Sequence, residues 1–326
     1  MFYEIARFPE QLVRALQGST LTLKGVEYLV HGVLYLPFAP EDWERIRRYS
    51  EVAGDGKVAI SSFWAARSRH FLYIYSIEQK MLAISGYFNS GYTGNYLEGA
   101  LQNFVRPPIN ELQRDLFKSF IKDAGPLVRS WYPLLPSLID HYDISKNLDV
   151  GRAIAANLTA DQSAALRVLE IGAGGCLMPL FLRHLTTLRS YDVVDLDFVL
   201  PFGFAMLRCF APELPVALPN ELATDAIVRF HENNAPPTFT ASHDVAINIT
   251  SFGEMTNRNV ADYFTLIDGA LPSGGVFACI NRREKMTRFE DYPWDLVDGD
   301  ILIDAVDPTS GYYDPDPIYR RIVRKR

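Results

Sequence analysis

The rhythm of apolar and polar positions changes near residue 150. Beyond it, short apolar runs alternate with longer stretches of helical period. Arg167–Ile171 reads as a strand ending in glycines, Leu177–Leu188 as a helix and Tyr191–Val194 as a strand ending in acids. Phe198–Phe210 reads as a helix, Val216–Leu218 as a third strand and Glu221–Phe230 as a helix. Asp244–Ile249 is a fourth strand, Asn259–Ala270 a helix closed by Pro272-Ser273-Gly274-Gly275, and Val276–Ile280 a fifth strand. Such alternation predicts a mostly parallel sheet wrapped by helices, with a ligand at the carboxyl ends of the strands. The final Arg320–Arg326 reads as a last strand with a charged end.

The first part is less regular. Residues 1–20 read as a short helix, 20–37 as a strand pair, and Pro40 to Tyr49 as a helix with acids in its first turn. Residues 57–64 and 70–84 are apolar runs that periodicity alone leaves open between strand and buried helix. Gly86 to Ala100 crowds glycines and rings together, and 108–141 is mostly helical by pattern, broken by Pro126, Pro133 and Pro136. The chain therefore divides into 1–150, a mostly helical, aromatic-rich region for substrate recognition or a lid, and 151–326, a nucleotide-binding domain. Its 326 residues suit two such units.

Charge narrows the partners. The net charge is −7, which disfavours nucleic acid. No apolar run is long enough for a membrane span, and no secretory signal is visible, so the expected location is cytoplasmic. Three cysteines without paired spacing suit neither a disulfide framework nor a zinc site, and no metal is expected. The oligomeric state is open, a homo-oligomer being possible. The rings of 13% of residues cluster early, at Phe63, Trp64, Phe71, Tyr73 and Tyr75; they serve a large core or a ring-stacking pocket.

The segment Val168-Leu169-Glu170-Ile171-Gly172-Ala173-Gly174-Gly175-Cys176 carries the chemistry: a buried strand runs into a glycine loop and then a helix. It contains no Gly-Lys-Ser/Thr, so it is not a phosphate-binding P-loop. Asp195 ends the next strand, 23 residues after Gly172, where a carboxylate can hold a ribose diol or, with Asp197, cap the following helix. Glu170 before the glycines, as Glu-x-Gly-x-Gly, resembles motif I of class I S-adenosylmethionine-dependent methyltransferases. A third glycine common in that family is Cys176 here.

A second segment, His243 to Met255, resembles the end of strand four in a bacterial group of sugar O-methyltransferases. There an acid and an apolar strand precede a small polar residue, Phe, any residue, Glu and Met. Tyr263 and Asn281 fit that resemblance too. It implies a Rossmann-like class I fold with a mostly parallel seven-stranded sheet, S-adenosylmethionine as cofactor, and a sugar, glycan or other small-molecule acceptor. The implied cofactor contacts are Glu170, Gly172, Ala173, Gly174, Asp195, Asn220 and Asn248. Glu254, Ser251 and His231 are the candidate catalytic groups, and Tyr87, Tyr92, Tyr96 and Asn281 the candidate acceptor contacts. Glu254 is read as general base or acceptor-hydroxyl holder, or equally as a helix cap or partner of Arg258. His231 at a helix end, by contrast, needs no catalytic role. Methyl transfer to an amine or phenol, and a non-catalytic binding module, remain alternatives. A nicotinamide oxidoreductase is disfavoured by Glu170 and by the lack of Tyr-x-x-x-Lys.

Overall fold

The computed structural model describes residues 1–8, 19–30, 33–53, 61–68, 71–85, 141–222, 224–234, 236–308 and 317–326. In chain order the elements are β1 (Phe2–Ile5), β2 (Ser19–Leu23), β3 (Val26–Val30), β4 (Val33–Pro37), α1 (Pro40–Val52), α2 (Ser62–Ser68), β5 (Leu72–Ser76) and β6 (Met81–Ser85). There follow α3 (His141–Ala155), α4 (Ala160–Ala164), β7 (Leu166–Ile171), α5 (Met178–Leu185), β8 (Leu188–Asp195), α6 (Leu200–Phe210), β9 (Val216–Ala217) and β10 (Val228–Glu232). The chain closes with β11 (Val245–Ile249), α7 (Asn257–Ala270), β12 (Val276–Arg282), β13 (Gly299–Val306) and β14 (Ile318–Lys325).

The main sheet runs β13-β14-β12-β11-β7-β8-β10-β9. β14 lies antiparallel to both of its neighbours, and the other pairings are parallel. The chain enters the sheet at β7, moves outward through β8, then crosses back to β11 on the other side of β7. That reversal opens a crevice at the carboxyl ends of β7, β8 and β11. This is the expected Rossmann-like architecture, with an eighth strand where seven were expected, because two-residue β9 adds an outer edge beside β10.

β7 is buried on both faces, as a central parallel strand must be: Leu166, Val168, Leu169, Glu170 and Ile171 are all buried. Apart from Arg208 in its last turn, α6 is built of apolar residues and glycine on every side, unlike a one-sided surface helix. The reason is its position. One side packs on the sheet, and the other meets a second layer built from the first 85 residues; Leu34, Leu36, Phe38, Trp43, Ile46 and Tyr49 share one continuous core with Phe202, Phe204, Val193 and Phe230.

That second layer is richer in strands than expected, while residues 108–140, part of the stretch expected to be helical, lie outside the described residues. Its described part is a four-stranded sheet, β1-β5-β6-β4, plus the β2–β3 hairpin, with only two helices. The expected helix at residues 1–20 begins instead with strand β1, paired parallel to β5. The expected strand pair at 20–37 is split: β2 and β3 form the hairpin, and β4 joins β6. α1 forms where Pro40 pre-sets the first turn and Glu41 and Asp42 face the helix dipole. Its inner face anchors to the main domain. Arg45 makes a two-pronged ion pair with Glu221 at 2.7 Å, and Arg208 another with Asp42 at 3.0 Å. Helix α3 runs straight across the expected boundary at residue 150.

Candidate functional site

The loop after β7 is shaped by backbone rather than side chains. Gly172 and Gly174 adopt φ of +71° and +54°, a region open to glycine and strained for others. A Cβ at Gly172 would sit 2.6 Å from Ser251 Cβ and closer still to its Oγ, so only glycine lets this loop lie against the end of β11. A Cβ at Gly174 would meet nothing within 4 Å. Gly174 thus faces open space at the mouth of the crevice. Cys176, fully buried, also takes a positive φ of 53°, so the position that is glycine in the resembling family keeps a glycine-like backbone here.

Asp195 ends β8 and reaches back to the loop. Its carboxylate accepts hydrogen bonds from Gly174 N–H at 2.9 Å and Leu196 N–H at 2.7 Å. Burial pushes its pKa up to about 6 despite those bonds, and the nearby Glu254 charge adds to the rise. Asp197 accepts from Phe198 N–H at 2.7 Å, in the turn before α6, and leaves the helix itself without a side-chain cap.

A crevice partly open to solvent lies at this end of the sheet. Gly172, Gly174 and Asp195 form its floor, with Val194, Leu196 and Val199 along one side. Ser251 and Met255 come from the turn after β11. Asn233 follows β10, and Asn259 and Tyr263 stand on α7. Ser61 and Trp64 close it from the first region. Among the described residues no lysine or arginine lines it.

Beneath Ser251 lies a fully buried amide pair. Asn248 donates from Nδ2 to Ile171 O at 2.8 Å and to Ser251 Oγ, while its Oδ1 accepts from Asn281 Nδ2 at 2.8 Å and from Phe252 N–H at 3.3 Å. Asn281 Oδ1 in turn accepts from Gly253 N–H at 3.3 Å. Thr250, just above, holds a φ of 58°. For a β-branched residue that costs on the order of 1–3 kcal/mol, and such strain concentrates at functional sites.

The expected site residues therefore scatter into distinct places. Gly172, Gly174, Asp195 and Ser251 meet at the crevice. Ala173 packs partly buried against the core. Glu170 is buried one layer down, where Tyr191 Oη donates to it at 2.6 Å and burial raises its pKa to about 8. Asn248 and Asn281 belong to the amide pair, so Asn281 supports the wall from inside rather than facing an acceptor. Glu254 sits in the 3-10 turn Phe252–Glu254. It pairs with Lys285 and not with Arg258, and Thr256 caps α7 in its place.

Two expectations are corrected. His231 is not at a helix end near the crevice: it lies on β10 and donates to the buried Asp192 at 2.7 Å, beside His243 at 3.0 Å and Arg229. Burial alone would raise the Asp192 pKa, but those three donors hold its carboxyl well below the usual range, a structural cluster. Asn220 is exposed in the turn after β9, away from the crevice lining. The strand that leads into the crevice is β10, read from sequence as part of a helix, and Asn233 directly after it lines the crevice. Its signal was the alternation of buried Val228 and Phe230 with Arg229 and His231. Tyr87, Tyr92 and Tyr96 lie outside the described residues. Among the described residues no cluster of histidines, cysteines or acids is placed to hold a metal, and no helix is long and apolar enough to cross a membrane.

No protein-family model matches the chain, and no curated protein does. Solved structures similar to it include an S-adenosylmethionine-dependent methyltransferase from Mesorhizobium loti. It is 12% identical, covers 55% of this chain and 100% of its own, and has a TM-score of 0.39. A TehB-like methyltransferase from Corynebacterium glutamicum is 13% identical, with 63% and 98% covered and a TM-score of 0.40. The [4+2]-cyclase SpnF is 12% identical, with 67% and 98% covered and a TM-score of 0.40.

Proposed function

We propose that the chain is an S-adenosylmethionine-dependent methyltransferase whose acceptor is a hydroxyl, in a sugar or glycosylated molecule. The observation that carries the cofactor is the charge and shape of the crevice. Gly174 leaves its floor open, a buried carboxylate stands within it to accept from a ribose diol, and among the described residues no cationic side chain lines it. The pyrophosphate of a dinucleotide wants free N–H groups and positive charge. Here the Gly174 N–H is already taken by Asp195. A sulfonium cation, by contrast, suits a site with the Asp195 carboxylate among its lining groups.

When bound, the cofactor supplies a methyl group already electrophilic on sulfur. The protein's task is then placement and proton removal. Asp195 would hold the ribose, Asn233, Asn259 and Tyr263 would contact the rest of the nucleoside, and Trp64 would help shield it from water. Glu254 accepts the acceptor's hydroxyl proton. The hydroxyl acceptor rests on the resemblance of His243 to Met255 and on this placement of Glu254.

The test is release of S-adenosylhomocysteine from S-adenosylmethionine across panels of glycosides, amines and phenols. Turnover with a glycoside, lost in Glu254→Gln, is the expected outcome. Turnover confined to amines or phenols would refute the sugar acceptor, and none with any panel would refute the transferase.

A further inference from the structure

One constellation beside the crevice has no part in cofactor binding. Lys285, in the loop after β12, pairs its ammonium with Glu254, and its Nζ also lies 4.2 Å from the centre of the Phe63 ring. Phe63 and Trp64 are neighbours on α2, with rings edge-to-face at 5.4 Å; Trp64 is in the crevice wall. The Lys285 loop is fastened to the same turn, since Met286 N–H donates to Gly253 O at 2.9 Å and Thr287 Oγ1 to Phe252 O at 2.9 Å. Ser251 and Met255 flank this turn and line the crevice, and Glu254 lies between them in the chain, close enough for its charge to bear on Asp195. The side chains of Lys285 and Glu254 keep 26% and 17% of their exposure, enough to meet a ligand.

We infer that Lys285, held between Glu254 and the Phe63 ring, is the specificity-determining residue of an acceptor subsite for neutral polyhydroxylated molecules. The inference rests on the transferase reading above. Its chemistry follows from the pair. A lysine ammonium carries three N–H donors and no acceptor, and a carboxylate only acceptors. Side by side they match neighbouring hydroxyls, each of which both gives and takes a hydrogen bond. Because the pair is neutral overall, it makes no demand for a charged acceptor. The Phe63 and Trp64 rings offer an apolar wall to the C–H face of a sugar. In the reaction the acceptor oxygen forms the new O–CH3 bond as the S–CH3 bond breaks. The hydroxyl proton passes to Glu254, and the bonding pair leaves with sulfur as the neutral thioether of S-adenosylhomocysteine. Lys285 donates to an adjacent acceptor oxygen and so selects which hydroxyl faces Glu254.

The test is saturation-transfer NMR of methyl α-glycosides of glucose, galactose, rhamnose and fucose on full-length protein saturated with S-adenosylhomocysteine. Binding of at least one glycoside is expected. Lys285→Met should weaken it about tenfold or more, the loss of one charge-assisted hydrogen bond. Lys285→Arg should restore part of it, and the affinity for S-adenosylhomocysteine should stay unchanged in both. Wild-type protein that binds S-adenosylhomocysteine but none of the glycosides would overturn the subsite and leave the cofactor reading standing. Glycoside binding untouched by Lys285→Met would overturn the role of Lys285. Failure to bind S-adenosylhomocysteine at all would remove the reading on which the subsite depends.

Discussion

Two glycines of one loop should respond differently to the same substitution. At Gly172, alanine must hold a φ of +71°, a left-handed conformation that costs about 1–2 kcal/mol. Its Cβ would also be driven to within 2.6 Å of Ser251 Cβ. Relieving that overlap means moving the β7 loop or the turn after β11, and forced contacts of this kind cost about 1–3 kcal/mol. Together Gly172→Ala should lose about 2–5 kcal/mol, or on the order of 5–15 °C in melting temperature. Gly174 carries only the conformational part, because a Cβ there meets nothing within 4 Å. Gly174→Ala should lose about 1 kcal/mol of stability. Yet its methyl group would occupy the space assigned to the cofactor and weaken S-adenosylhomocysteine by about tenfold or more. The assay pairs thermal unfolding with calorimetric titration for both variants. A third variant isolates the clash: Ser251→Gly in the Gly172→Ala background removes both touching atoms and should recover the overlap share of the loss. Equal melting temperatures for the two single variants would refute this account of the loop, as would a double variant no more stable than Gly172→Ala.

Other expectations follow from the buried acids and the wall. Glu170 has its pKa raised to about 8, so the folded state keeps its proton while the unfolded chain loses it near the usual value. Its contribution is therefore fully present in acid and is lost as pH rises towards 8. Melting curves from pH 5 to pH 9 should show Glu170→Gln gaining on the wild type as pH rises; a constant difference would count against a protonated Glu170. Asp195, at about 6, must be ionised to accept from a ribose diol. S-adenosylhomocysteine affinity should therefore fall as pH drops through about 6 in the wild type and stay flat in Asp195→Asn, which binds weakly throughout. Asp192→Ala strands Arg229, His231 and His243 around an emptied position and should cost about 3–5 kcal/mol, read by chemical denaturation. Unaltered stability would show that the cluster is not structural.

Much of this was readable from residues alone, and the exceptions have physical reasons. The β7–loop–α5 unit was legible because burial on both faces makes an unbroken apolar run, and because the tight turn admits little but glycine. The position of Asp195 was legible because an acid ending an apolar strand of a parallel sheet falls at the carboxyl edge, where the crevice lies. β10 was missed because helix formers at Glu221, Leu222 and Ala223 outweighed the short alternation of Val228 to His231, so the expected contact fell on Asn220 and not on Asn233, which lines the crevice. β13 left no signal: as the outer strand it is exposed on most positions, and its pairing with β14 is a matter of tertiary structure. Neither the Asn248–Asn281 pair nor the Lys285–Glu254 ion pair was visible, since each joins side chains brought together only by the sheet.

The central claim is that the crevice between Gly174 and Asp195 holds S-adenosylmethionine, and calorimetric titration tests it most directly. The purified chain should bind S-adenosylmethionine and S-adenosylhomocysteine at micromolar levels, bind NADH far more weakly, and lose most of its affinity for both sulfur nucleotides in Asp195→Ala. Absence of binding to either sulfur nucleotide, or tight binding of NADH in their place, would contradict it.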